Sequence, residues 1–189
     1  MSKPPAWLLK LATAPLRTRR LVIRLLRKGD DRAILPAVRE SLKEIMPWLP
    51  WASERYDAKA ARAFVRAAMR DYAADRGFAL GIFTPGGAFV GGTGFHLHRR
   101  NGTRFYEIGY WCRSSMAGRG YTTEAAKALL RLAFRAPEVH RVEIRCDPRN
   151  RASERVIRKC GLPQEGHLRK VARDSKGKLR DHLVFAKVR

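Results

Sequence analysis

The sequence predicts an α/β domain built around one mixed β-sheet, and three observations support this fold class. First, 189 residues with an apolar fraction of 45% suffice for one domain with its own hydrophobic core. Second, the apolar period changes from helical to alternating near residue 77. Third, strands and helices then follow one another to the end of the chain. We therefore expect a strand, two helices, three strands, a helix, a strand, a helix and two strands.

The first part of the domain supplies one strand and two helices. Residues 18–26 alternate like a half-buried strand. Asp30 or Asp31 can cap a helix that runs to about Glu44, and Pro36 can split this helix in two. A second helix starts at Asp57. Its predicted buried face consists of Ala61, Phe64, Val65 and Ala68.

The second part of the domain alternates strands with helices. Strands are predicted over residues 77–83, 88–98, 103–113, 140–147, 162–171 and 180–188, and helices over residues 121–134 and 153–160. Residues 84–87 form a turn that makes the first two of these strands a hairpin. Gly161 ends the second helix as its C-cap. The inward face of the first helix comprises Ala125, Ala126, Leu129, Leu130 and Ala133.

The chain is strongly basic, with 40 Lys and Arg residues against 17 acidic ones and a net charge of +23. Residues 1–20 and 141–189 together carry 20 of the 40 basic residues. Such a field attracts polyanions, RNA included. A genome whose codon usage favours arginine produces the same composition, so both interpretations stay open.

Cysteine usage and the first twenty residues indicate the cytoplasm. The three cysteines are odd in number and form no CxxC pair, which argues against a disulfide framework and a structural zinc site. The apolar run at residues 7–11 is interrupted by Lys10 and is too short for a signal peptide. No stretch approaches the roughly 18 apolar residues of a membrane helix.

One segment, residues 107–125, combines a strand end, a glycine loop and a helix start. The backbone N–H groups of a helix start bind anions, and Gly118 and Gly120 let a phosphate approach the backbone. Arg113 and Arg119 can add positive charge. The pattern suits a pyrophosphate, but it is neither the Rossmann fingerprint nor a Walker A loop.

Four segments resemble the GNAT superfamily, and within it the RimJ/RimL-type N-acetyltransferases. In the family's order they are TRRLVIR at 18–24, EIGYW at 107–111, GRGYTTEA at 118–125 and DPRNRAS at 147–153, the last continued by KCGL at 159–162 and EG at 165–166. The resemblance implies a GNAT fold, an α/β arrangement in which about four helices flank a mixed, mostly antiparallel sheet of about seven strands. It assigns residues 18–189 to this domain and leaves residues 1–17 as a basic extension.

The resemblance also implies acetyl-CoA as co-substrate and no metal. Acetyl-CoA is expected between the strands at 107–113 and 141–147, where a backbone N–H near Cys112 polarises the thioester carbonyl. The implied binding residues are Trp111, Cys112, Arg113, Ala117, Gly118, Arg119, Gly120, Tyr121, Thr122 and Asn150.

The chain departs from the family's pattern at several positions. Ala117 replaces Gln or Arg, Thr122 replaces Gly or Ala, and Leu162 replaces Phe. Because backbone amides do most of the phosphate binding, Ala117 is expected to weaken this site without abolishing it. Residues 171–172 are Val and Ala where some relatives carry a carboxylate, which leaves no catalytic acid there.

Glu107 and Ser153 are the catalytic candidates. Glu107 can act as general base, directly or through water, or can form a strand-end salt bridge. Ser153 can protonate the leaving thiolate or cap a helix. Asn150 is expected to order its loop and contact acetyl-CoA. The acceptor amine attacks directly, without an acetyl-enzyme.

Other residues have a structural interpretation beside a functional one. Cys112 is a structural thiol more readily than a nucleophile, because it shares a strand face with Ile108 and Tyr110. His96 and His98 share a strand face, but no third metal ligand is evident. The aromatic pair at 48 and 51 can line the acceptor cleft or close the core: these residues are Trp48 and Trp51.

The predicted reaction is acetyl transfer to a primary amine, with a protein N-terminal α-amine, such as that of a ribosomal protein, as the leading acceptor. Ribosome or RNA association would then account for the charge. A small-molecule amine, for example an antibiotic or a polyamine, is the second hypothesis. The third hypothesis is a nucleic-acid-binding protein on a GNAT scaffold.

Overall fold

The computed structural model describes residues 6–73, 77–100, 103–174 and 177–189. In this part of the chain the elements are α1 (Ala6–Thr13), β1 (Leu16–Arg17), β2 (Val22–Leu25), α2 (Asp31–Ile45), α3 (Ala58–Ala73), β3 (Phe78–Phe83), β4 (Phe89–Arg100), β5 (Thr103–Cys112), a 3-10 turn (Ser114–Met116), α4 (Tyr121–Ala133), β6 (Arg141–Cys146), α5 (Arg151–Lys159), β7 (Gln164–Arg173) and β8 (Leu179–Val188). None of the helices described there has the length and apolar character needed to cross a bilayer.

The strands form one sheet in the order β1-β2-β3-β4-β5-β6-β8-β7. All neighbouring strands are antiparallel except β5 and β6, which run parallel and are joined by α4. The mixed, mostly antiparallel α/β sheet is therefore confirmed, and the parallel pair follows from the helical crossover. The sheet has eight strands because Leu16 and Arg17 pair with β2, a short strand that the sequence did not predict.

Helices cover both faces of the sheet. Alternate residues of β3 divide between two clusters: Phe78, Leu80 and Ile82 belong to the one that includes residues of α1, α4 and α5, whereas Phe83 belongs to the one that includes residues of α2 and α3. This alternation is the period of two that a strand buried on both faces requires. The predicted inner face of α4 is confirmed, because its five residues are all buried: Ala125, Ala126, Leu129, Leu130 and Ala133.

Residues 18–21 correct the prediction of one strand over 18–26. They form a turn in which the Thr18 N–H donates to the Leu21 carbonyl at 2.9 Å, and β2 begins only at Val22. The alternation was nonetheless correct, since Leu21 and Ile23 are fully buried.

Three helical details also differ from expectation. α1 was not predicted, yet its Trp7 packs edge-on against Phe95 and Tyr106 in the core. α2 continues unbroken through Pro36, which removes a single hydrogen bond near the helix start. Asp30 makes no side-chain cap and pairs instead with Arg24 at 2.7 Å.

The α3 prediction contained one error of burial. Ala61, Val65 and Ala68 are buried as expected, but Phe64 is 42% exposed. Its aromatic ring therefore lies at the edge of the helix–sheet interface.

Candidate active site

β5 and β6 separate after a short parallel ladder. Their pairing consists of Tyr106 with Val142 and Glu107 with Glu143. The Arg113 N–H donates to the Val90 carbonyl of β4 at 2.9 Å. In an antiparallel strand the N–H and C=O groups of one residue both point to the same neighbouring strand, and those of the next residue point to the other side. Since Arg113 bonds to β4, the N–H and C=O groups of the odd-numbered residues of β5 point to β4. The even-numbered residues 108, 110 and 112 therefore direct their N–H and C=O groups into the gap beside β6.

A cavity of about 540 Å³ fills this gap and reaches both faces of the sheet. On one side lie the glycine loop and the first turns of α4 and α5. On the other side lie the end of α2, the loop after it, and β8. Among the predicted residues its lining includes Glu107, Trp111, Cys112, Ala117, Gly118, Gly120, Tyr121, Thr122, Asn150 and Ser153.

Both glycines of the loop adopt a backbone conformation that favours glycine. Gly118 and Gly120 have φ values of 76° and 78°, in the left-handed region that residues with a Cβ rarely adopt. Gly120 is the N-cap of α4. The first N–H groups of this helix have no acceptor within the helix, and its first residues, Tyr121, Thr122 and Thr123, line the cavity, so this helix start can hold an anion.

Glu124 in the first turn of α4 fixes the glycine loop to the turn that precedes β2. Its Oε1 accepts from Thr18 Oγ1 at 2.6 Å, and its Oε2 accepts from Arg20 Nε at 2.7 Å. Arg20 also donates to the Arg119 carbonyl at 3.0 Å and lies 4.8 Å from the Tyr121 ring centroid. Burial alone would raise the pKa of Glu124, but the bonds from Thr18 and Arg20 outweigh it and lower that pKa.

α2 holds the other end of the loop through Glu40. Its carboxylate accepts from Arg113 Nε and from the Ser115 N–H, each at 2.7 Å. The hydrogen bonds from Ser115, and then that from Arg113, lower the pKa of Glu40 from 4.5 to about 2. Ser41 Oγ accepts from the Ser114 N–H at 2.9 Å.

The two predicted arginines, unlike the other predicted residues of the loop, do not line the cavity. Arg113 is engaged by Glu40, and neither Arg113 nor Arg119 belongs to the cavity lining. The basic residues that do line the cavity come from α5 and the strands beside it: Arg145, Arg155, Lys159 and Arg180. Sequence reasoning missed them because their side-chain direction depends on how β6 and α5 pack.

Ser153 lies in the cavity wall, but it does not cap α5. The N-cap is Asn150, whose Oδ1 accepts from the Ser153 N–H at 3.0 Å, so Asn150 orders the loop as predicted. Ser153 Oγ lies 2.9 Å from Tyr110 Oη. Burial raises the pKa of Tyr110, and the contact with Ser153 offsets only part of this rise. Tyr110 was not among the predicted site residues.

Glu107 lies on the opposite side of the cavity. Its Oε2 is 3.6 Å from Arg145 Nε, so it takes part in a salt bridge as one interpretation predicted, and it lies 3.1 Å from His98 Nε2. The His98 contact has ion-pair distance without hydrogen-bond geometry. His182, which sequence reasoning missed, also lines this side. Burial, and then Arg180, lower the pKa of His182 below 6.5, so its imidazole is neutral at pH 7.

The remaining candidates are Cys112, the possible metal ligands and the two tryptophans. Burial raises the pKa of Cys112, and a hydrogen bond with Thr122 offsets part of this rise. All three cysteines are free thiols. Within the described residues, no three His, Cys, Asp or Glu side chains are grouped as metal ligands. Trp48 lines the main cavity, whereas Trp51 is 46% exposed beside a second cavity.

Comparisons with known proteins agree with this architecture. The profile of the family described as acetyltransferase (GNAT) domain matches residues 20–163. The uncharacterized N-acetyltransferase YnaD of Bacillus subtilis (strain 168) is 38% identical over 69 residues, which are 36% of this chain and 41% of that protein. This chain thus spans less than half the length of YnaD. The ribosomal protein uS5-alanine N-acetyltransferase of Escherichia coli (strain K12) is 25% identical over 173 residues, covering 90% of this chain and 89% of that protein.

Solved structures share the fold at low sequence identity. The microcin C7 self-immunity acetyltransferase MccE, in complex with acetyl-CoA and AMP, has a TM-score of 0.83 at 20% identity and covers 91% of this chain and 94% of its own. RimL, a ribosomal L7/L12 alpha-N-protein acetyltransferase in complex with coenzyme A, has a TM-score of 0.82 at 20% identity over 92% and 97%. Mycobacterium smegmatis RimJ, in complex with CoA-disulfide, has a TM-score of 0.79 at 26% identity over 89% and 81%.

Proposed function

The chain belongs to the GNAT acetyltransferase family, and we propose that it transfers the acetyl group of acetyl-CoA to the N-terminal α-amine of a protein. The observation that carries this proposal is the cavity through the gap between β5 and β6. It connects the glycine loop on one face of the sheet with Glu107 and His182 on the other. A donor bound at the loop and an acceptor entering from the other face can therefore meet inside the sheet.

The residues present fit acetyl-CoA, which would supply the acetyl group as a thioester. The amides of residues 117–122 would hold its pyrophosphate at the N-terminus of α4, and Asn150 would contact it beside α5. The N–H and C=O groups of residues 108, 110 and 112 would pair with an extended chain laid in the gap. The Cys112 N–H would donate to the carbonyl oxygen of the acetyl group.

An α-amine is the acceptor that this site activates most easily. The amine must be neutral to attack, and deprotonation at pH 7 costs about 1 kcal/mol for an α-amine against about 4.6 kcal/mol for a lysine. We assign Glu107 as the general base, acting directly or through water. His182 lines the same side of the cavity and its imidazole is neutral at pH 7, so we assign it a share of this role.

The leaving thiolate requires a hydrogen-bond donor on the side of the cavity where acetyl-CoA would bind. Ser153 and Tyr110 together provide two hydroxyls in contact at 2.9 Å. Because the pKa of Tyr110 is raised, its phenol stays protonated and can donate. We assign Ser153 as the group next to the sulfur and Tyr110 as its partner.

Two kinds of observation favour a protein acceptor of the ribosome. The E. coli relative acts on the alanine of ribosomal protein uS5, and the RimL structure is that of an L7/L12 alpha-N-protein acetyltransferase. The net charge of +23 disfavours cationic small molecules and suits a protein N-terminus held near RNA. Such substrates would be met in the cytoplasm.

The acceptor is tested by acetyl-CoA consumption with matched substrates. Peptides with a free N-terminus and acetylated lysines are compared with N-terminally blocked peptides carrying free lysines, and with a polyamine and an aminoglycoside. We expect consumption only with the free N-termini. Turnover of the small amines alone would overturn the proposed acceptor and leave a small-molecule acetyltransferase.

A further inference from the structure

A second cavity of about 350 Å³ lies between α3 and the sheet. It shares several lining residues with the main cavity, namely Leu49, His96, Gly109, Tyr110 and Trp111. The two cavities are therefore adjacent, on the face of the sheet from which the acceptor would enter. A volume near 300 Å³ is at the small end of ligand pockets, so this space suits one side chain better than a whole cofactor.

Aromatic rings form the walls of the second cavity. The Trp51 and Phe64 rings are nearly parallel, with an interplanar angle of 13° and centroids 6.5 Å apart. Trp51 also lies 6.0 Å from Trp111, which in turn lies 5.7 Å from Phe89. Trp51 and Phe64 are 46% and 42% exposed, so both side chains are open to solvent on part of their surface.

Most of the lining of this cavity is apolar, and its polar side chains include Asp71, Thr93 and His96. Thr93 Oγ1 already donates to the Gly109 carbonyl at 2.9 Å. Gly92 gives the Trp111 indole room to lie on β4, because a Cβ at this position would be 2.4 Å from Trp111 Nε1. A planar apolar group would gain both burial and ring contacts here.

We propose that the second cavity binds an aromatic ring that the acceptor carries close to its reacting amine. In a peptide acceptor this ring is the side chain of one of the first two residues. The inference rests on the proposed function for the nature of the acceptor. The two cavities share a wall and one extended residue spans about 3.3–3.6 Å, so the first two side chains are the ones nearest to this wall when the amine lies in the main cavity.

The first test uses peptides that differ only in having phenylalanine or alanine at residue 1 or residue 2. We expect kcat/KM to be about tenfold higher for one of the phenylalanine peptides, mainly through KM. Trp51→Ala and Phe64→Ala should remove this preference, and Trp51→Phe should retain it. Met69→Ala is the matched control, since Met69 is an exposed apolar residue of α3 that lines neither cavity.

A second measurement does not depend on turnover. Calorimetry compares the binding of phenylalanine amide and alanine amide to the parent protein and to Trp51→Ala. The parent should bind phenylalanine amide about tenfold more tightly than Trp51→Ala does. Equal binding, or an unchanged peptide preference in Trp51→Ala, would overturn the inference. Turnover of ring-bearing small amines but of no peptide, lost in Trp51→Ala, would support the pocket and refute the protein acceptor.

Discussion

Tyr110 Oη lies 2.9 Å from Ser153 Oγ, and this contact joins β5 to the first turn of α5 across the gap in the sheet. Tyr110 is one of the even-numbered residues of β5 whose backbone faces the gap. Ser153 is held by the hydrogen bond from its N–H to Asn150. The two hydroxyls thus come from opposite walls of one cavity and are positioned by separate elements.

The pair should act as a unit on the leaving thiolate. Tyr110→Phe and Ser153→Ala should each lower kcat by about 10- to 100-fold, because each removes one donor from the same hydrogen-bonded chain. The double variant should lose much less than the product of the two effects. The check is a double-mutant cycle in kcat, with acetyl-CoA affinity and Tm as controls. Independent, multiplicative losses would show that the two hydroxyls do not cooperate.

Gly120 should be essential for acetyl-CoA binding. Gly120→Glu places a side chain and a negative charge in the predicted phosphate path, and we expect acetyl-CoA affinity to fall at least about 100-fold by calorimetry. Gly161→Glu is the matched control, because Gly161 has a φ of 77° against 78° for Gly120 but lies outside the cavity lining. Both variants bear similar backbone strain. Equal acetyl-CoA affinities in the two variants would mean that the phosphate site is misplaced.

Transfer should proceed without an acetylated cysteine. Burial keeps the pKa of the Cys112 thiol above its ordinary value, so the thiolate that a nucleophile requires is scarce at pH 7. Cys112→Ala should therefore retain most of the parent kcat. Mass spectrometry of the enzyme quenched during turnover provides the direct check, and an acetyl group on Cys112 that forms and decays at the rate of turnover would contradict direct transfer.

Local patterns predicted most elements of the fold. The helix predicted at residues 121–134 is Tyr121–Ala133, and the strand predicted at 140–147 is Arg141–Cys146. In both elements the spacing of apolar residues follows from which side chains are buried, and this spacing is the main secondary-structure signal in a sequence. α1 was missed because it is only 8 residues long and its stability comes from packing Trp7 into the core.

The candidate site was predictable where it depends on backbone conformation and not where it depends on distant side chains. The glycine loop was recognisable in the sequence from Gly118 and Gly120, whose left-handed conformation is one that glycine readily adopts. The bond between Arg20 and Glu124 joins residues 104 positions apart, so a single sequence gives no sign of it. The same holds for Arg113, whose partner Glu40 is 73 positions away.

Glu40 should make the free energy of unfolding depend on pH below pH 4.5. Its pKa is about 2 in the folded protein against an ordinary 4.5, so its contribution is fully present above pH 4.5 and is lost as the pH falls toward 2. Glu40→Gln should be less stable than the parent at pH 6 by about 1 kcal/mol, a modest cost for a partly exposed group. Urea unfolding between pH 6 and 2 should show this difference shrinking. Glu54→Gln, at an exposed loop position, controls for the lost charge, and a difference that stays constant with pH would contradict the assignment.

The basic residues should guide the protein to an acceptor held on RNA. Several arginines of the C-terminal part are already engaged by acidic partners, for example Arg141 with Glu143 and Arg158 with Glu154. The excess charge is nevertheless +23, and attraction between exposed charges is screened beyond about 8 Å at physiological salt. Binding to RNA should also weaken as counterion release loses its advantage.

Ribosome association should therefore fall by about a hundredfold or more between 50 and 200 mM salt. Acetyl-CoA affinity should change far less over the same range, because backbone amides of the glycine loop supply much of its proposed binding. Co-sedimentation with ribosomes across a salt series, with acetyl-CoA titrations in the same buffers, measures both. If no ribosome association occurs even at low salt, codon usage that favours arginine accounts for the net charge. A free peptide or a small-molecule amine then becomes the preferred acceptor. If both affinities fall in parallel, the anion site depends on side-chain charge, and the basic residues of α5 that line the cavity, Arg155 and Lys159, are the first to replace.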